Sequence, residues 1–218
     1  MNGGPAGGIV GSMTPATTAP MLIERALGTY DAVRSEHLVV AGDVETAYEA
    51  VLRADFVRAW RESAAVRALF GARELAERVV SAARGRTPAV PPPPASLRLA
   101  DMTEHGEWVR LGENPPHEIA FGAIGRFWGG ETSWETISTD EFARFAHPGF
   151  ARIACSFSVR PYGAVQSLVS YECRTQATDA AARRAFLRYW RPLSPFIGVV
   201  LRAQLGVIAS ETRPGNEQ

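Results

Sequence analysis

The side chains that could do chemistry fall on short segments in the second half of the chain. "ARIACSFSVRP" and "QSLVSYECRTQ" carry Cys155, Tyr171, Glu172, Cys173 and Arg174, and "HEIAFGAIGRFW" carries Arg126. A tyrosine within a sheet can donate a hydrogen bond to a ligand carbonyl, or it can be a core ring whose hydroxyl reaches backbone or water. An arginine turned into a cavity can hold a polar ligand group. When buried it needs a partner, and Glu172 could supply one. His147, just before "PG", reads as a loop residue, with a general-base role as the sharper alternative. Cys155 and Cys173 are too few for a disulfide scaffold, and their spacing matches no zinc pattern. They read as small reduced core residues, near neighbours across a hairpin. His37, His105, His117 and His147 are scattered, so no metal site is expected. The sequence contains no GxGxxG, Walker A or GxSxG, and no cofactor is expected.

Composition narrows the class further. The 218 residues suit one domain of moderate size, 46% hydrophobic and 21% charged, with a formal net charge of +0. Every basic residue other than histidine is arginine. The balanced charge argues against a nucleic-acid partner or a polybasic membrane surface. The opening "MNGGPAGGIVGSMTPATTAP" has neither a basic n-region nor a continuous apolar core, so it reads as a disordered tail over residues 1–20. "PFIGVVLRAQLGVIA" is interrupted by Arg202 and Gln204 and reads as too short to span a bilayer. The expectation is a cytoplasmic protein without stable membrane insertion. Its oligomeric state is not legible.

The elements that must position these side chains follow from periodicity. "EHLVVAGD" is a strand running into a helix start, with Asp43 as N-cap of "VETAYEAVLRAD". A second helical region spans about 56–84, with a stripe of Trp60, Ala64, Leu69, Leu75 and Val79 that Gly71 could split. The prolines of "GRTPAVPPPPAS" make an extended linker at about 85–96. Period-two segments follow. "EWVRLGE" and "HEIAFGAIGRFW" form one hairpin around "ENPPH", and the two cysteine-bearing strands form another around "PYGAV". "STDEFARFAHPG" reads as a short helical or irregular piece. From Thr178 or Asp179 a long helix begins, with a stripe of Phe186, Trp190, Leu193, Ile197, Leu201 and Ile208. Pro192 and Pro195 are expected to kink or briefly break it. Asp179 and Arg183 form an i,i+4 pair, and residues 212–218 read as a flexible end.

The order of strand, helices, antiparallel strands and long terminal helix resembles the START-like, Bet v 1-like superfamily (SRPBCC). "SEHLVVAGDVETAYEAVLRADF", "GAIGRFW" and "YECRTQATDAAARRAFLRYWRPLSP" are similar to bacterial members described as polyketide cyclase/dehydrase-like or of unknown function. The resemblance covers about residues 30–210. It implies an α+β helix-grip domain over residues 21–211, a curved antiparallel sheet wrapped around the C-terminal helix. It also implies a cavity between sheet and helix for a hydrophobic small molecule or lipid. No fixed catalytic motif comes with it, so the catalytic residues are unknown.

Strand registers assign the faces. Pairing Ser156 with Glu172 places Ala154 against Arg174 and Ser158 against Ser170. It gathers Cys155, Phe157, Val159, Val169, Tyr171 and Cys173 on one apolar face. Pairing Arg110 with Ala120 places Val109, Leu111, Ile119, Phe121, Ala123 and Phe127 on one face. Trp108, Arg110, Ile124, Arg126 and Trp128 then share the other, with Trp108 lying across Gly122. The predicted cavity lining is Val109, Leu111, Phe121, Ala123, Phe127, Phe157, Val159, Tyr171, Trp190, Ile197 and Leu201. For the polar group of Arg126, Glu172 and Arg174 two readings stand. They lie on the back of the sheet, with Arg126 paired to Glu172 or stacked on an indole, or they point inward and hold a polar ligand group.

Three functions fit this reading. The first is a non-enzymatic binder or carrier of a hydrophobic small molecule or lipid, favoured because no nucleophile, metal or cofactor motif appears. The second is a cyclase/aromatase-like enzyme working in the same cavity. The third is an interaction module whose core is filled by its own bulky side chains.

Overall fold

The computed structural model describes residues 19–68, 71, 96–105, 107–128 and 132–213. The expected N-terminal tail up to residue 18, Leu69, Leu75, Val79, most of the proline-rich linker and residues 214–218 lie outside the described residues.

Alternating apolar residues draw six strands into one antiparallel curved sheet. The strands are β1 (Ala32–Ala41), β2 (Trp108–Asn114), β3 (Glu118–Arg126), β4 (Ser133–Glu135), β5 (Ala151–Pro161) and β6 (Gln166–Ala177). Their order is β1-β6-β5-β3-β2, with β4 continuing the edge beside the end of β3. The β5–β6 register is the one read from sequence: Ser156 opposes Glu172, Ala154 opposes Arg174 and Cys155 opposes Cys173.

The concave face is the grip. Ile119 and Phe121 from β3, Cys155, Phe157 and Val159 from β5, and Val169 and Tyr171 from β6 form one core. Val40, the buried faces of α2 (Val44–Arg53) and α3 (Val57–Glu62), and Leu99 from α4 (Leu99–His105) join it. Leu201, Leu205, Val207 and Ile208 close it from α6 (Ala180–Glu211). Asp43 caps α2 by accepting from the Thr46 N–H, as its position before an apolar run predicts.

The long helix starts at Asp179, whose carboxylate accepts from the N–H groups of Ala181 and Ala182. The expected pair with Arg183 does not form, because Arg183 Nε donates to Asp31 Oδ1 at 2.5 Å while Asp179 serves as the cap. It runs for 32 residues through Pro192 and Pro195, so the expected break does not occur. Each proline removes one i→i−4 hydrogen bond. Both prolines are exposed, as are Arg188 and Arg191, whose carbonyls lose their partners, so water can satisfy them. Continuity also corrects the estimate that this region is too short to span a bilayer: the helix is long and apolar enough by length and composition. In this fold it packs along β1 and β6.

The convex face is covered as well, which the sequence reading did not anticipate. α1 (Leu22–Ala26) and α5 (Thr139–Arg144) lie there, and Ile23, Leu27, Phe142, Ile124 and Ala154 form a second core. The capping box of Ser138 and Glu141 starts α5 within the segment read as short helix or irregular.

This second core explains a corrected register. Arg110 opposes Phe121, not Ala120, and a bulge at Leu111 brings Gly112 opposite Ala120. Val109 and Leu111 therefore pack on the convex face with Phe142, while Trp108 turns to the concave face. Apolar side chains are wanted on both faces of β2, so alternation could not choose the register. Gly122 is covered by Leu111 and Phe142, not by Trp108. An aromatic does cover a strand glycine one pair further on, where Trp134 lies over Gly125. Trp128, assigned to the back of β3, lies past the strand's end and packs with Phe186 at the start of α6.

Candidate functional site

The grip face is dominated by aromatic rings in contact. Phe56 stacks on Phe157 at 5.7 Å, Phe157 on Tyr171 at 4.1 Å, and Phe121 lies 6.1 Å and 6.4 Å from those two rings. Trp108 meets Phe121 edge-on at 5.5 Å and lies 6.4 Å from Trp134, which stacks on Phe127 at 5.8 Å. Phe127 meets Phe186 edge-on at 5.8 Å, and Phe186 reaches Trp190 at 5.7 Å. The row passes from fully buried (Phe121, Phe157) to half-buried (Trp108, Phe127, Trp134) towards the β2–β4 edge. It is positioned by cross-strand pairing: Trp108 opposes Ala123 and Trp134 opposes Gly125, each large ring facing a small or absent side chain.

Most of the predicted lining meets here. Phe121, Ala123, Phe127, Phe157, Val159 and Tyr171 are on the concave side, and Ile197 and Leu201 approach from α6. Trp190 sits further along with Phe186. Val109 and Leu111 are not part of this face, for the register reason given above.

The polar groups are arranged differently from either sequence reading taken whole. Arg174 and Glu172 lie on the convex face. Arg174 Nε donates to Glu172 Oε1 at 2.5 Å, Nη1 donates to the Leu27 carbonyl at 3.1 Å, and the guanidinium carbon sits 4.8 Å from the Tyr30 ring centroid. Arg126 is exposed at the end of β3 opposite Ser133, on the back of the sheet, but it does not pair with Glu172. His147 is exposed beside the Phe145 ring, 4.9 Å between centroids.

The polar groups that do face the grip were not singled out. Glu36 on β1 is 6% exposed and holds two arginines. Arg34 donates from Nε at 2.9 Å and Nη2 at 2.5 Å to Oε1, and Arg202 of α6 donates from Nε to Oε2 at 2.5 Å. Burial works against the charge, but the hydrogen bonds from Arg202 and Arg34 outweigh it and hold the carboxyl below the usual glutamate value. Arg34 reaches this position across Gly198, where a Cβ would meet its Cζ at 2.7 Å. The signal was available: Arg34 and Glu36 alternate in phase with Leu38 and Val40 on a strand, and Arg202 interrupts the apolar helix.

Beside this cluster, Arg34 opposes Cys173 and Glu36 opposes Tyr171. Burial raises the Tyr171 hydroxyl and the Cys155 thiol well above their usual values, so both are neutral at pH 7. The Tyr48 hydroxyl donates to Glu113 Oε1 at 2.7 Å, and burial, followed by that hydrogen bond and charge, raises it too. Gln204 shares the Ile197–Leu201–Ile208 stripe, and its Oε1 is buried with no hydrogen-bond partner. Among the described residues no group of three or more His, Cys, Asp or Glu could hold a metal ion.

A cleft of about 470 Å³ lies on the other side of the sheet, between α1, the β2 bulge and α5. Leu22, Leu111 and Phe142 line it, with Arg25 and Arg144 among its polar groups.

The fold and the grip face together define an α+β helix-grip protein with an aromatic concave face. No family model matches the chain, and no curated protein matches it in sequence. Among solved structures, the hypothetical protein jhp0584 from Helicobacter pylori aligns with TM-score 0.43 and 11% identity, covering 93% of this chain and 100% of its own. A conserved protein from Geobacillus kaustophilus aligns with TM-score 0.36 and 10% identity over 83% of this chain and 95% of that one. The di-domain ARO/CYC BexL from the BE-7585A biosynthetic pathway aligns with TM-score 0.29 and 14% identity, over 87% of this chain and 54% of that one.

Proposed function

We propose that the protein binds a hydrophobic small molecule, with planar rings as the best fit, against the concave face of its sheet under the long helix. The observation that carries this is the half-open group of Trp108, Phe127 and Trp134, which continues a fully buried row of rings. Aromatic faces left partly open at the edge of a packed core offer a ligand stacking area at little entropic cost. The unpartnered Gln204 Oε1 supports the reading, because a buried acceptor gains from a ligand donor. The resemblance to START-like proteins supports the same place and the same ligand class, a lipid included.

A second reading, cyclase-type catalysis at this face, is favoured by a different observation. The neutral Tyr171 and the Arg34–Glu36–Arg202 cluster stand on the same side of the sheet as the rings. A protonated phenol and two guanidiniums are groups that can polarise a carbonyl and balance an enolate.

The test is tryptophan quenching by 1-anilinonaphthalene-8-sulfonate, together with native mass spectrometry of the protein as purified from its own cells. Trp134→Ala is expected to weaken probe binding at least tenfold, and Ala143→Trp, which fills the convex cleft, to leave it unchanged. The reverse pattern would move the site to the convex cleft. No binding of probe or co-purifying molecule by the folded protein would favour a core filled by its own side chains.

A further inference from the structure

Cys155 and Cys173 are the chain's 2 cysteines, and both are free thiols. They stand directly opposite each other on β5 and β6, with their sulfurs 3.0 Å apart. Opposed residues of an antiparallel pair have Cα atoms about 4.5–5.5 Å apart. A disulfide accepts Cα separations of about 4.4–6.8 Å, so the backbone already has the spacing of the bonded state. The two thiols differ in access. Cys155 is 1% exposed, whereas Cys173 is half-buried.

We propose that Cys155 and Cys173 are a peroxide-oxidisable dithiol, with Cys173 as the attacking thiol and Cys155 as the resolving one. The oxidant is a hydroperoxide. The Cys173 thiolate attacks one peroxide oxygen; the S–O bond forms as the O–O bond breaks, and the leaving oxygen takes up the proton that Cys173 released. The Cys155 sulfur then attacks the Cys173 sulfur. The S–S bond forms, the S–O bond breaks, and hydroxide leaves with the Cys155 proton as water. Two thiols and one hydrogen peroxide give one disulfide and two waters. The order follows from burial, since Cys155 is enclosed whereas Cys173 is only half-buried. Burial also keeps Cys155 a protonated thiol at pH 7. The product ties the central hairpin of the sheet beside Tyr171, on the grip face itself.

The experiment treats the full-length folded protein with graded hydrogen peroxide, denatures it in maleimide and measures intact mass. The expected result is a loss of 2 Da with no maleimide added, on a chain that stays monomeric on a non-reducing gel. Cys155→Ala is expected to stop at a sulfenic acid on Cys173, trapped by dimedone. Cys173→Ala is expected to keep its single thiol, because the remaining sulfur is buried. Two maleimides per chain, under peroxide that oxidises the urea-unfolded protein, would overturn the proposal. So would disulfide-linked dimers, or sulfinic acid on Cys173 in the unmutated chain.

Discussion

Arg174 donates to Glu172 at 2.5 Å on the convex face, two residues apart along β6, and its guanidinium also covers Tyr30. Glu172 is therefore already paired, and Arg126, exposed at the far end of β3, is left facing water. Arg126→Ala is expected to change stability by less than about 0.5 kcal/mol, as for an exposed side chain with no partner among the described residues. Phe121→Ala is expected to cost about 3–5 kcal/mol, because it empties the middle of the ring row. Urea unfolding of the two variants measures both, and a comparable loss in each would mean the faces of β3 are reversed.

Gly122 and Gly125 are held small by what lies on them. A Cβ at Gly122 would meet Leu111 Cδ1 at 2.7 Å, Phe142 Cε2 at 2.8 Å and the Ile153 carbonyl at 2.9 Å. At Gly125 it would meet Trp134 Cε3 at 2.5 Å and the Ser133 carbonyl at 2.9 Å. At Gly112 the first contact is the flexible end of Leu22, at 3.0 Å. Backbone oxygens of paired strands cannot move aside as a leucine methyl can. Alanine at 122 or 125 is expected to cost about 1–3 kcal/mol, and alanine at 112 distinctly less. Thermal unfolding of the three variants gives the ranking. An equal loss at all three would show that the sheet relaxes around the added methyl.

Those glycines also mark what the sequence could reveal. The β5–β6 register was legible because Ser156, Ser158, Glu172 and Arg174 are polar where Cys155, Phe157, Tyr171 and Cys173 are not, and only one pairing separates them. The β2–β3 register was not legible. Val109, Leu111 and Ile124 are apolar because α1 and α5 cover the second face, Ile119 and Phe121 because they face the grip, and a bulge leaves no trace in composition. The long helix was legible from its stripe and its Asp179 cap. The continuity through Pro192 was not, since it depends on solvent reaching the freed carbonyls. Of the grip face, the rings of β3, β5 and β6 were found. The charged cluster was missed: Arg34 and Glu36 stand in phase on β1, but Arg202 joins them only when α6 folds back over β1.

That cluster has a measurable pH signature. Glu36 is held below the usual glutamate value in the fold, by Arg202 and Arg34 acting against burial. A lowered carboxyl contributes stability that is fully present above its unfolded value. The contribution is lost as pH falls through the folded value. Glu36→Gln keeps the shape and removes the charge. It is expected to cost about 1–2 kcal/mol at pH 7, less than a fully buried pair because both arginines keep contact with water. The difference from the unmutated protein is expected to shrink as pH falls below about 4. Urea midpoints at a series of pH values measure it; a difference independent of pH would assign the loss to packing alone.

At the alkaline end the buried phenols decide the slope. Tyr171 is raised by burial and then by the neighbouring cysteines, and Tyr48 by burial and then by its hydrogen bond to Glu113. An unfolded chain releases these protons near the ordinary tyrosine value of about 10, while the folded protein keeps them. Stability from both groups is therefore complete below that value and falls as pH rises above it towards the folded values. Absorbance at 295 nm is expected to show both phenols titrating only as the protein unfolds, in step with loss of near-ultraviolet circular dichroism. Tyr48→Phe removes the hydroxyl and leaves Glu113, among the described residues, with its Arg110 partner. That variant is expected to lose stability at pH 7 and to show a shallower decline above pH 10. Normal titration of all tyrosines in a folded protein would mean that water reaches Tyr171, and that the grip face is open along its whole length.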